Sequence, residues 1–175
     1  MAKAKSKNTS FSKKIQALKK ILGTEAFSDS DINKVLYSRD LMTRGSIQLR
    51  QGRIPYRPQA VVWPESVKQV SQVVRWANRE RMPIIPYGAG SGVSGGVVPV
   101  HGGVVVDVKR MNKVLFIDAA TRTAVVGAGM IGEHLEEELN RQGWTMGHFP
   151  SSLMTATLGG YLATRSAGQL SSKYG

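Results

Sequence analysis

Cysteine is absent from the 175 residues of this chain. Disulfides, thiolate metal sites, a cysteine nucleophile and iron–sulfur clusters are therefore excluded, while the redox compartment stays open. No run approaches the roughly 18 apolar residues needed to span a bilayer. The first 30 residues lack the apolar core of a secretion signal. There is no G-X-Y period and no internal repeat. Acid is missing from one end: residues 1–20 hold seven lysines and no Asp or Glu. The chain carries 24 basic and 12 acidic side chains, net +12, so the other 155 residues hold 17 basic and 12 acidic, net +5. The basicity thus describes the first 20 residues more than a domain, and residues 1–10 of them read as a basic flexible tail. Such a tail can reach nucleic acid or anionic lipid; the plainer reading is a solvated leader.

What remains has the composition of one globular domain, 41% hydrophobic and 21% charged. Phe11, Ile15, Leu18 and Leu22 share one helical face, with Gly23 as the stop. That face can lie on a membrane surface or pack on its own domain. A short helix is expected from the N-cap Ser30 to Tyr37. Residues 40–58 read as a loop. Residues 60–63 read as a strand. Pro64, Glu65 and Ser66 then open a helix with Val67, Val70, Val74 and Ala77 on one face, and residues 83–86 form a second buried strand. Together these make a βαβ unit with parallel strands. Strand signals recur at 103–108, 115–118 and 124–126, with turns at 109–113 and 118–123 that suit antiparallel neighbours. A helix over 131–141 buries Ile131, Leu135 and Leu139.

Glycine stands at about 1.5 times average usage, 19 residues, and it is clustered. Gly90-x-Gly92-x-x-Gly95 fits a dinucleotide pattern formally, but Val97, Val98, Pro99 and Val100 do not begin the helix that a Rossmann site requires. Gly127-x-Gly129-x-x-Gly132 precedes a convincing helix. Glu133, however, stands where phosphate charge would sit, and the acidic residue expected about 20 positions on is missing. Tight turning and close packing explain these glycines better. His134 and Glu138 are four apart on that helix, which is a weak metal pair and more readily a solvated face. The segment Gly88 to Gly96, with Ser91 and Ser94, is no P-loop, since no Gly-Lys-Ser/Thr follows. Its amides and hydroxyls can wrap an anion. Residues 150–168, rich in small and hydroxyl side chains with Arg165 as the cation, suggest a second wall of the same phosphate-containing ligand site.

The run Pro86-Tyr87-Gly88-Ala89-Gly90-Ser91-Gly92-Val93-Ser94-Gly95-Gly96 resembles the FAD-diphosphate loop of the vanillyl-alcohol oxidase/PCMH flavoprotein superfamily. Residues 150–175 resemble its second FAD motif. The nearest branch is the glycolate oxidase, D-lactate dehydrogenase and alkyldihydroxyacetonephosphate synthase group. The resemblance implies an α+β fold: a PCMH-type FAD-binding domain of two α/β subdomains over 59–175, preceded by helices and a loop over 11–58. A βαβ subdomain near 60–108 would supply the first loop. Amides of Gly88, Ala89, Gly90, Ser91 and Gly92 would take the diphosphate, with Ser91 and Ser94 adding hydroxyls and Pro86 and Tyr87 leading in. Pro150, Ser151, Ser152, Thr157 and Gly160 would meet the diphosphate, ribitol or flavin edge. Thr164, Arg165, Ser166, Ala167 and Gly168 would lie further along the cofactor. Ser91 stands where some relatives attach FAD through histidine, so the FAD is expected to be non-covalent.

The resemblance also implies a 2-hydroxy-acid substrate of the D-lactate or glycolate type, with an acceptor protein or quinone taking the electrons. The alternative is a non-redox, ether-forming synthase. The catalytic base and the substrate-carboxylate arginines would belong to chain beyond Gly175, so no catalytic residue and no metal ligand is assigned within these residues. His148 falls near the implied flavin site. A basic nucleic-acid-binding protein is the rival from another class, but it lacks aromatic interleaving and a binding motif. The expected location is cytoplasmic, with peripheral membrane association as the variant.

Overall fold

A computed structural model describes residues 13–174 of the chain as mixed helices and sheets. The expected tail and Phe11 lie outside the described residues. By contact the chain divides into two units, each built from two stretches: residues up to Pro86 with Gly92–Asp107, and Tyr87–Ser91 with Val108–Gly175.

In the first unit, helix α1 (residues 13–22) stops at Gly23, whose φ of +84° suits glycine. Its Ile15, Leu18 and Leu22 are buried in a core with Phe27, Val62, Val73, Trp76 and Val104. The apolar stripe therefore packs on protein. Strand β1 (Phe27–Ser28) leads to α2 (Asp31–Leu36), capped as expected by Ser30, whose hydroxyl accepts from Asn33 N. Its Ile32 and Leu36 are exposed.

The loop expected over 40–58 contains a helix, α3 (Thr43–Arg50), which buries no residue. An amphipathic period therefore could not announce it. Helix-forming Gln48, Leu49 and Arg50 and a carboxylate at Asp40 that accepts from Met42 N at 2.9 Å support it instead.

Strands β2 (Ala60–Val62), β3 (Ile84–Tyr87) and β4 (Val104–Asp107) and helix α4 (Val67–Glu80) complete the unit. The sheet order is β1-β2-β4-β3, with β1 antiparallel and β4 parallel to β2. The expected second buried strand is thus an edge strand, half-buried at Ile84 and Ile85, and β4 lies between it and β2. Pro83 and Pro86 supply no amide hydrogens, which suits an edge. Helix α4 is capped by Ser66, but its buried residues are Val73, Trp76 and Ala77, while Val67 and Val74 are exposed. The large indole of Trp76 turned the helix away from the valine face that the sequence favoured.

In the second unit, β5 (Val114–Asp118) pairs antiparallel with β6 (Thr123–Val126), as the 118–123 turn predicted. Asp118 holds that turn: its carboxylate accepts from Ala120 N at 2.9 Å and from the Thr121 hydroxyl at 2.7 Å. These bonds, Thr121 first, keep its carboxyl below the usual range. The other expected antiparallel turn, 109–113, does not join neighbours. β4 is already flanked by β2 and β3, so the chain passes to a separate two-stranded sheet.

Helix α5 (Gly132–Asn140) buries Leu135 and Leu139 with Met130, while Ile131 becomes its N-cap. A Cβ on Gly127 or Gly129 would overlap the carbonyl oxygens of Met111 or Val108. Those glycines serve close packing. Glu138 bonds Arg141 at 2.9 Å, and the described residues contain no cluster of three metal-ligating side chains. Short helices α6 (Leu158–Thr164) and α7 (Ser171–Tyr174) close the unit, in a stretch where the sequence showed no period. No helix among the described residues is long and apolar enough to cross a membrane.

Candidate functional site

Fifteen of the eighteen expected cofactor residues fall in the second unit; Pro86, Gly92 and Ser94 fall in the first. The glycine loop thus begins in one unit, at Tyr87–Ser91, and returns in the other. Within the second unit the head of the loop is tied down at two points. Val108 N donates to Tyr87 O at 3.0 Å, and Lys109 Nζ donates to Gly88 O at 2.8 Å. The same ammonium lies 5.1 Å from the Tyr87 ring centroid. Beyond Tyr87 the amides of Gly88, Ala89, Gly90 and Ser91 donate to no acceptor among the described residues. Four consecutive free N–H groups beside a lysine form a donor row suited to an anion. Gly90 has φ +66°, and a Cβ there would overlap the Tyr87 hydroxyl.

The structure brings this loop against the second motif. A Cβ on Gly88 would overlap Thr157 Oγ1. Thr157, 1% exposed, caps α6 by accepting from Gly160 N at 3.2 Å. Leu158 N and Gly159 N are also spent, on Met130 O and Ala128 O. The start of α6 therefore offers no free amide over these three residues, and the available donors are those of the loop. Buried as it is, Thr157 touches Gly88 and Gly160 and sets the distance between the two motifs. Ser151 is exposed and Ser152 half-buried, and neither hydroxyl bonds protein among the described residues.

Further along, residues 164–168 fold back on 148–150. Gln169 N donates to Phe149 O at 3.1 Å, and a Cβ on Gly168 would strike the Phe149–Pro150 peptide. Ser166 Oγ lies 3.3 Å from His148 Nε2, and the His148 ring stands edge-on to Tyr161 at 5.0 Å. Tyr161 is buried, and burial pushes its phenol up. Arg165 is exposed, ends α6 in the left-handed region at φ +48°, and forms no ion pair among the described residues. A non-glycine residue held there marks a constrained position.

Pro86, Gly92 and Ser94 are exposed in the first unit. The sequence missed Lys109, because nothing local links a lysine after β4 to a glycine before it. The donor row fits a diphosphate: free amides, a neighbouring cation and a glycine where a side chain would intrude.

A family model described as an FAD binding domain matches residues 58–175. Alkyldihydroxyacetonephosphate synthase of Dictyostelium discoideum is 35% identical over 164 residues, covering 92% of this chain and 27% of the relative. Glycolate oxidase subunit GlcD of Bacillus subtilis is 31% identical over 160 residues, covering 91% of this chain and 32% of the relative. A solved structure of alkyldihydroxyacetonephosphate synthase superposes with a TM-score of 0.88 at 35% identity, covering 93% of this chain and 30% of that one. The chain thus spans less than a third of the length of each.

Proposed function

The chain belongs to the FAD binding domain family, and on that premise we propose that Gly88, Ala89, Gly90 and Ser91 hold the diphosphate of FAD within a larger flavoenzyme. The observation that carries this reading is the row of four free amides beside Lys109, packed on Thr157. The residues fix and orient the cofactor; the flavin supplies the reacting ring. Backbone donors set in place before binding cost little reorganisation. The Lys109 charge adds attraction for the diphosphate, and Ser151 and Ser152 add hydroxyl donors on the facing segment. Gly160 and residues 164–168 line the remainder of the cofactor's course within the second unit. With Ser91 in place of a linking histidine, the FAD is held non-covalently, so acid precipitation should release all the flavin into solution.

Between the two activities left open, the synthase reading has the stronger support: higher identity to the Dictyostelium synthase than to the Bacillus glycolate oxidase subunit, and a synthase superposition at TM-score 0.88. The larger enzyme would then form alkyldihydroxyacetonephosphate. Oxidation of a 2-hydroxy acid is the second reading, favoured by the match to the glycolate oxidase subunit. FAD titrated into the purified chain should quench flavin fluorescence to saturation. Gly90→Val should abolish that quench while leaving the far-ultraviolet helix signal. An undiminished quench in the variant would remove the loop from the site. Dye reduction by glycolate or D-lactate in the larger enzyme would favour the second reading over the first.

A further inference from the structure

The return limb of the glycine loop is held by residues that precede the matched domain. Asp40 is 3% exposed, and its carboxylate accepts two backbone amides: Met42 N on Oδ1 at 2.9 Å and Gly95 N on Oδ2 at 2.8 Å. Next to it, Leu41 N donates to Gly92 O at 2.9 Å. These residues all lie in the first unit. The family match begins at residue 58, so two of these three bonds, to Gly92 O and from Gly95 N, tie an upstream segment to both ends of the stretch Gly92 to Gly95.

A buried carboxylate is a costly way to join two segments. Desolvation opposes it, and no cation lies within salt-bridge distance among the described residues. An apolar contact would give adhesion at less cost. What the carboxylate adds is direction, because a charge-assisted N–H bond fixes the plane of the peptide it accepts from. With Gly95 N claimed by Asp40 and Gly92 O by Leu41, the peptides between them are fixed at both ends. The amides of Gly92, Val93 and Ser94 meanwhile donate to no acceptor among the described residues.

We infer that Asp40 is a positioning residue for the cofactor loop. It takes the Gly95 amide for itself and so anchors the stretch of chain that leaves the donor row at Ser91. This inference rests on the FAD reading above. Gly95 has φ +78°, a conformation that favours glycine; its carbonyl accepts from Val98 N at 3.1 Å, and the Asp40 carboxylate fixes its amide.

The test compares the wild-type chain with Asp40→Asn and Asp40→Ala. The Asn variant keeps one acceptor oxygen and turns an NH2 toward the other amide; the Ala variant removes both acceptors. Dissociation constants for FAD, and for ADP as a diphosphate without the flavin ring, are measured with the thermal midpoint of the ligand-free protein and the hydrogen-exchange rate at Gly95 N. The expected result for Asp40→Asn is at least a tenfold weaker affinity for both ligands, faster exchange at Gly95, and a thermal midpoint within a few degrees of wild type. FAD and ADP affinities within twofold of wild type in Asp40→Asn would overturn the inference, as would affinity losses in Asp40→Ala that only follow a collapsed thermal midpoint. A wild-type chain that binds neither ligand would instead overturn the cofactor reading itself.

Discussion

Gly88 and Thr157 meet where the two glycine-rich motifs touch, and each limits what the other position can hold. A Cβ on Gly88 would overlap Thr157 Oγ1, while Thr157 Cβ would stand 3.5 Å away, an ordinary contact. Gly88→Ala is therefore expected to cost about 1–3 kcal/mol through overpacking. Thr157→Ala is expected to cost about 1 kcal/mol through the lost cap on Gly160 N. In the double variant the obstructing hydroxyl is gone, so its cost should fall below the sum of the two by about 1 kcal/mol or more. Urea denaturation of the four proteins measures this; simple additivity would mean that the two residues do not collide. The need for glycine at this position was legible from clustering. Its reason was not, because the obstruction comes from a residue far along the chain. The roles of Lys109 and Asp40 were hidden for the same reason: each acts on a loop that no local pattern connects to it.

Helix α4 shows how an element can be read well and oriented badly. Ser66 as cap and residues 67–80 as helix followed from local chemistry. Its face did not, since valines at 67, 70 and 74 and the set Val73, Trp76 and Ala77 both recur at helical spacing. The fold buries the set with the indole, at 1% exposure, and leaves Val67 at 75%. Trp76→Ala should cost about 3–5 kcal/mol, whereas Val67→Ala should stay within about 0.5 kcal/mol of wild type. Equal costs in chemical denaturation would restore the valine face. Trp76→Phe should cost much less than Trp76→Ala, because Trp76 Nε1 is buried without a partner among the described residues and its removal also removes an unsatisfied donor. The β5–β6 hairpin was legible because Asp118 and its turn are adjacent in sequence. The order β1-β2-β4-β3 was not, because it depends on which strand edges remain free once the others have paired.

Across the whole molecule, charge and fold are separable. Of the 24 basic residues, three lie within residues 1–8, and no acid accompanies them. Deleting residues 1–8 should weaken retention on an anionic resin at low salt and leave FAD affinity and the thermal midpoint unchanged. A fall of several degrees in that midpoint would show that these residues stabilise the fold. Two α/β parts were implied by the resemblance of the two glycine-rich motifs to a known family, not by any local change of pattern. The assignment of Tyr87–Ser91 to the later part was not legible, since those five residues leave their neighbours in sequence to join residues made much later. That detour sets a clock during synthesis. Thr157 emerges 69 residues after Gly88, its packing partner. At a translation rate of about 5–20 residues per second, the donor row waits roughly 3–14 s on the ribosome before its seat exists. A nascent chain stalled before Thr157 should therefore remain open to protease at residues 88–91, and one stalled well past it should be closed. The loop that reads first in the sequence is among the last parts of the site to be completed.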